Sequence, residues 1–163
     1  MTLALIDIES GNLHSVDNAL RAAGASDVVI TADPDVIAKA DRIVLPGVGA
    51  FGACAANLRA VDGLEEALLD AALTRARPFL GICVGMQLLA DTGEEMGEHR
   101  GLGWIPGRVT RLAPSDPSAK VPHMGWNDVL PTREHPLIMP GEAYFLHSYA
   151  FTGEHVLATT DHA

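Results

Sequence analysis

One stretch constrains the fold more than any other: Phe79-Leu80-Gly81-Ile82-Cys83-Val84-Gly85-Met86-Gln87. An apolar run leads into Gly81, a nucleophilic side chain stands at Cys83, and Gly85 precedes a segment of helical character over Val84 to Ala90. Gly-x-nucleophile-x-Gly between a strand and a helix is the nucleophile-elbow pattern. So sharp a turn strains the backbone at the nucleophile, and the residues two positions to either side must be small. The thiol then stands at a helix N-terminus, where the dipole and free N–H groups favour thiolate. The Val84 N–H is aimed at the same point and can hold an oxyanion. A buried packing cysteine is the competing reading. It fits Cys54, which sits between alanines in an expected helix, better than Cys83.

The residues before the elbow alternate between two periods. Leu3 to Ile6, Val28 to Ile30, Arg42 to Leu45 and Pro78 to Ile82 read as short buried strands. Leu13, Val16 and Leu20 fall at helical spacing, with Gly24 closing that helix. Asp33-Pro34 reads as an N-cap with proline at the first helical position, leading into a short helix through Ile37. Further helices are expected over Phe51 to Ala60 and from Leu64 to about Arg75. Strands alternating with helices predict an α/β fold, a mostly parallel open sheet flanked by helices. From Gly93 onward glycine and proline become frequent, and the second half reads as strand-rich. Short strands are expected over 107–112, 127–130, 143–147 and 156–160, with a Pro- and Ser-rich loop at 113–119. The whole chain, 1–163, is read as one domain.

A formal net charge of -10, with no run of clustered Lys or Arg, argues against nucleic acid as a partner. Two cysteines are too few for a disulfide scaffold, and the opening residues carry no basic-then-apolar signal, so a reduced, cytoplasmic protein is expected. No apolar run is long enough to span a bilayer, and no membrane partner is expected.

A second glycine-rich turn, Pro46-Gly47-Val48-Gly49-Ala50-Phe51-Gly52, follows the third expected strand. Ligands in open α/β sheets bind outside the carboxyl ends of strands. Backbone N–H groups of such a turn can approach an oxygen closely, which makes it the natural second half of an oxyanion hole.

Gly81-Ile82-Cys83-Val84-Gly85-Met86-Gln87 resembles the elbow of class I glutamine amidotransferases, which have a flavodoxin-like fold. Pro46-Gly47-Val48-Gly49 is similar to the oxyanion strand of one branch, the glutaminase subunits of imidazole glycerol phosphate synthase. Ser10-Gly11-Asn12-Leu13-His14-Ser15-Val16, Pro122-His123-Met124-Gly125-Trp126-Asn127 and Tyr144-Phe145-Leu146-His147-Ser148-Tyr149 resemble further motifs of that branch, in the expected order. The elbow alone points to the superfamily; the conjunction points to the subunit.

The resemblance implies that Cys83 attacks the side-chain amide of glutamine, gives a glutamyl thioester and releases ammonia. Val48, Gly49 and Val84 would form the oxyanion hole. Gly47, Gly52, Gln87, Ser148 and Tyr149 would bind the substrate. Asn12, His123, Trp126 and Asn127 would face a TIM-barrel cyclase subunit in a heterodimer, which uses the ammonia in histidine biosynthesis. No cofactor and no metal are expected. The resemblance also implies that the Pro46 to Gly49 strand can sit with a peptide turned away from the nucleophile until the partner engages, so that Val48 donates its N–H only after rearrangement.

The resembled family completes a Cys-His-Glu triad with a Phe-His-Pro-Glu segment beyond the Tyr-Phe-x-His-Ser-Tyr motif. This sequence has no such segment: Glu134-His135-Pro136-Leu137 has leucine where the acid belongs and falls too early. The chain is therefore read as lacking its C-terminal segment and as a poor glutaminase by itself. A replacement base at His147 or His162 is the competing expectation. Other functions remain open: a glutaminase serving pyridoxal phosphate or anthranilate synthesis, a non-catalytic cyclase-binding subunit, or a thiol esterase of the α/β-hydrolase type.

Overall fold

A computed structural model describes residues 1–162. Its centre is a parallel sheet of β1 (Leu3–Ile6), β2 (Val28–Thr31), β3 (Arg42–Gly47) and β4 (Phe79–Cys83), in the order β2-β1-β3-β4. Apolar residues occupy every position of β1, because both faces of this sheet are covered. Alternation then divides them. Leu3 and Leu5, with Val44 of β3, meet Leu13, Val16 and Leu20 of α1 (Leu13–Ala22). Ala4 and Ile6 turn to the opposite face, where the main core lies.

That core is built from α2 (Pro34–Ile37), α3 (Phe51–Ala60) and α4 (Leu64–Leu69), which supply Ile37, Phe51, Cys54, Leu58, Leu64 and Leu68. The helix starts follow local chemistry. Asn12 accepts the Ser15 N–H at 3.2 Å to cap α1. Asp33 accepts the Asp35 N–H at 2.8 Å ahead of Pro34. The helix expected from Leu64 to about Arg75 is present but changes character: a π-helical turn over Asp70–Thr74 continues α4.

The helix expected over Val84 to Ala90 is shorter than its sequence suggests. α5 spans only Val84–Gln87, and the chain then extends as β5 (Ala90–Gly93). The carbonyls of Leu88, Leu89 and Ala90 accept N–H groups from Leu102, Trp104 and Gly103. Distant backbone partners thus replace the local ones that would have continued the helix.

Beyond this point the chain forms β6 (His99–Arg100), β7 (Ile105–Arg111), β8 (His123–Pro131), β9 (Gly141–His147), β10 (Tyr149–Gly153) and β11 (Ala158–Thr159). They build two further sheets, ordered β10-β7-β5-β6 and β11-β8-β9. The strand expected over 127–130 is a nine-residue strand. Strands β5, β6 and β10 were not expected from the sequence.

In the central sheet β4 is an edge strand, without a neighbour on its outer side among the described residues. Leu80, opposite Val44 in register, is 52% exposed. No helix among the described residues is long and apolar enough to cross a membrane.

Candidate active site

The elbow has the geometry its sequence requires. Cys83 ends β4 and N-caps α5 with φ 56° and ψ -121°. A non-glycine residue in that region costs on the order of 1–3 kcal/mol and persists only where its surroundings enforce it. The enforcement is visible on both sides. A Cβ added to Gly81 would stand 2.6 Å from Met86 Cα, and one added to Gly85 would stand 2.0 Å from the Leu45 carbonyl oxygen. Only glycine lets β4 turn back against α5 and lets α5 lie on β3. The thiol is exposed, as an attacking group must be. Because α5 is a single turn, the field at Cys83 comes from its first free N–H groups, Val84 among them, more than from a long helix.

The glycine-rich turn sits beside the elbow. β3 and β4 are parallel neighbours with Gly47 opposite Cys83. A Cβ on Gly47 would stand 2.6 Å from the Gly85 nitrogen, so bare backbone faces the elbow here. Val48 and Gly49, the expected oxyanion donors, are both exposed. The Val48 N–H donates to the Ser10 carbonyl at 3.1 Å. Ser10 follows β1, and β3 lies between β1 and β4, so this N–H points away from Cys83. Gly49, at φ 111°, adopts a conformation that side-chain-bearing residues avoid.

The expected substrate residues have other partners in this structure. The Gln87 amide donates to the Tyr149 carbonyl at 3.1 Å, tying α5 to β10. The Tyr149 ring packs against the main core. The Ser148 carbonyl accepts the Leu112 N–H at 2.8 Å. Gly52 is overlain by the His99 imidazole, with ring atoms 2.6–2.7 Å from where a Cβ would stand.

Sequence reasoning missed Glu95. Helix α3 has no cap from its own N-cap residue Ala50; instead Glu95 accepts the Phe51 N–H at 2.9 Å from 44 residues away. The carboxylate therefore lies at the base of the Gly47–Gly52 turn, beside α3's first free donors. No local signal reveals it, because the cap comes from a distant segment.

The Pro122–Asn127 motif divides in a way its sequence conceals. Successive side chains of a strand point to opposite faces. Trp126 is 70% exposed and lies edge-on to Tyr144 of β9, with Met124 and Leu146 exposed as a cross-strand pair. His123 was expected on the docking face but is buried, stacked on Phe145 and His162. Burial, then the nearby His162 and His147, hold its imidazole below its ordinary value, towards the neutral form. Asn127 shares that inner side: its amide donates to the Asp161 carbonyl at 2.6 Å and meets His123 Nε2 at 3.2 Å. Of the three β8 residues expected at the interface, only Trp126 faces outward. Asn12 is exposed, with its side-chain oxygen engaged as the α1 cap.

Among the described residues no histidine is hydrogen bonded to the Cys83 thiol. His162 Nε2 meets the Lys120 carbonyl at 2.9 Å. His147 is linked to α5 through one shared acceptor: its Nδ1 meets the Tyr149 carbonyl at 3.0 Å, the same oxygen that accepts the Gln87 amide.

These features agree with what the chain is similar to. The family model described as "Glutamine amidotransferase class-I" matches residues 4–161. The imidazole glycerol phosphate synthase subunit HisH of Zymomonas mobilis is 60% identical, over 99% of this chain and 78% of that protein. The same subunit from Ruegeria pomeroyi is 54% identical, over 93% and 75%. Among solved structures, one described as a glutamine amidotransferase superposes with a TM-score of 0.72 at 17% identity, covering 97% of this chain and 79% of its own. The glutaminase domain of Trypanosoma brucei CTPS, solved with bound acivicin, superposes with a TM-score of 0.62 at 14% identity, covering 93% and 68%. By fold, motif order and similarity the chain belongs to the class-I glutamine amidotransferases and, within them, to the HisH subunits of imidazole glycerol phosphate synthase.

Proposed function

We propose that residues 1–163 form one glutaminase domain in which Cys83 is the nucleophile, and that the ammonia it releases passes to a cyclase subunit in a heterodimer. As a member of a subunit family, the chain works with a partner subunit of the synthase. One observation carries the catalytic reading: an exposed cysteine at φ 56°, clamped between Gly81 and Gly85, with the bare backbone of Gly47 beside it.

The chemistry follows from that placement. The Cys83 thiolate adds to the side-chain carbonyl carbon of glutamine; a C–S bond forms and the carbonyl π electrons move to oxygen. The Val84 N–H meets this oxyanion, and a donor from Val48 or Gly49 joins it once the turn rearranges. The amide nitrogen takes up a proton as the adduct collapses, the C–N bond breaks, and ammonia leaves behind a thioester. Water then adds to the thioester and frees glutamate and the thiol. Gln87, Ser148 and Tyr149 would form the walls of the glutamine pocket, and Gly52, lacking a side chain, admits the His99 imidazole against the turn. The reaction belongs to histidine biosynthesis, and we place it in the cytoplasm.

A glutamine analogue bearing a diazoketone tests the nucleophile. It is expected to alkylate Cys83 and spare Cys54, which is buried and whose thiol is pushed up by that burial. Mass spectrometry of the labelled peptides decides it, and modification of Cys54 with Cys83 free would overturn the assignment.

The outward face of β8 and β9 supports the partner reading. Met124, Trp126, Tyr144 and Leu146 form one exposed apolar surface on adjacent strands. A large aromatic ringed by apolar side chains is the residue type enriched among interface hot spots. Trp126→Ala is expected to weaken association with the cyclase by about 2 kcal/mol or more. Calorimetric titration of the folded variant measures this; an unchanged affinity removes Trp126 from the interface.

A further inference from the structure

Cys54 and Asn57 have no part in the chemistry above, yet Cys54 touches the oxyanion turn and Asn57 is joined to it through Ser10. Cys54 is fully buried on α3, and its thiol donates to the Val48 carbonyl at 3.5 Å. One turn along the same helix, the Asn57 amide donates to Ser10 Oγ at 2.9 Å. The Ser10 carbonyl in turn holds the Val48 N–H. The contacts form a closed circuit from α3 through Ser10 to Val48 and back to α3. Val48 is thus held at both of its peptide groups, although its side chain is exposed.

We infer that Cys54 and Asn57 are positioning residues, which hold the Gly47–Val48 peptide with its N–H turned away from Cys83 and set how often the oxyanion hole forms. This rests on the glutaminase reading. Bringing the Val48 N–H round to Cys83 requires rotation about the bonds flanking that peptide and breaks its bond to Ser10. The Cys54 thiol resists the rotation by fixing the following carbonyl, and Asn57 resists it by anchoring the loop that carries Ser10. Burial keeps the Cys54 thiol protonated, so it retains the proton it donates. Gly49 at φ 111° is the joint on the far side of Val48.

Hydrogen exchange of the Val48 amide reads the latch directly, whether or not Cys83 turns over glutamine. A neutral hydrogen bond is worth roughly a two- to tenfold change in an opening equilibrium. In the 163-residue chain the thiol is a weak donor, so Cys54→Ala is expected to speed Val48 exchange by about two- to threefold. Asn57→Ala should do the same, while the amides of Leu5 and Val44 keep their rates. Cys54→Ser, which retains a donor, should move Val48 back towards the parent rate. In parallel, the maximal rate of Cys83 alkylation by the diazoketone analogue should rise with its half-saturating concentration unchanged.

Unchanged Val48 exchange in both alanine variants would overturn the inference. So would a uniform acceleration at Val48, Leu5 and Val44, which would make Cys54 mere packing. Failure of the analogue to label Cys83 in the parent chain would instead count against the glutaminase reading and leave the exchange result standing.

Discussion

A version of this chain extended through a Phe-His-Pro-Glu segment is expected to hydrolyse glutamine about 10²- to 10⁴-fold faster than the 163 residues alone, both measured with saturating cyclase. That range is what positioned acid–base catalysis typically contributes. The expectation rests on Cys83 standing without a hydrogen-bonded histidine among the described residues, His147 and His162 being bonded to backbone carbonyls instead. A thiol on a strained turn can still be acylated. Departure of ammonia needs a proton donor, however, and attack of water on the thioester needs a base. Members of a triad act as a unit, so adding the segment should raise turnover more than binding. The extended form should also unfold at a higher temperature if added chain pairs with the open edge of β4 and covers Leu80. Steady-state release of glutamate from the two forms decides the catalytic claim. Equal rates would mean that the base lies within these residues. His147 is then the first to substitute, since it shares the Tyr149 carbonyl with Gln87.

Gly85→Ala is expected to disable the elbow. Its new Cβ would stand 2.0 Å from the Leu45 carbonyl oxygen and 2.7 Å from the Leu45 carbonyl carbon, both backbone atoms of a central strand. No side chain can swing aside, so β3 and α5 must part. Overpacking of this kind costs about 1–3 kcal/mol, occasionally more. Misplacing a reacting group by about 1 Å can lower a rate by about 10²-fold. Alkylation of Cys83 should therefore slow by about that factor, with the midpoint of thermal unfolding lowered. Gly141→Ala is the control: nothing lies within 4 Å of its added Cβ, and a stability change within about 0.5 kcal/mol is expected. Parent-like labelling in Gly85→Ala would show that the elbow tolerates a parted β3 and α5.

The elbow was legible because its requirements are local. A nucleophile at positive φ needs small neighbours two residues away, and that demand is written as Gly81 and Gly85. The first four strands were legible because a sheet covered on both faces makes its strands short apolar runs, as in β1 and β3. Where a residue's partner is distant, the one-dimensional pattern fell short. The reading of Val84 to Ala90 as helix followed its composition, but the carbonyls of residues 88–90 pair with residues 102–104 and draw the chain into β5. Glu95 was invisible as the cap of α3 because a loop 44 residues away supplies it.

The sequence by itself determined the fold class, the elbow and the family, since strand and helix periods, the two small residues about Cys83 and the order of the motifs are all carried along the chain. Tertiary structure alone decided which side of each element does what. A motif lists His123, Trp126 and Asn127 together, but the pleat of β8 sends Trp126 to solvent and the other two inward. Likewise Pro46-Gly47-Val48-Gly49 marks a turn able to donate to an oxyanion, yet the direction of the Val48 N–H depends on Ser10, Cys54 and Asn57. Backbone orientation at a glycine-flanked residue is set by whichever partners folding brings to it, because glycine itself prefers neither direction.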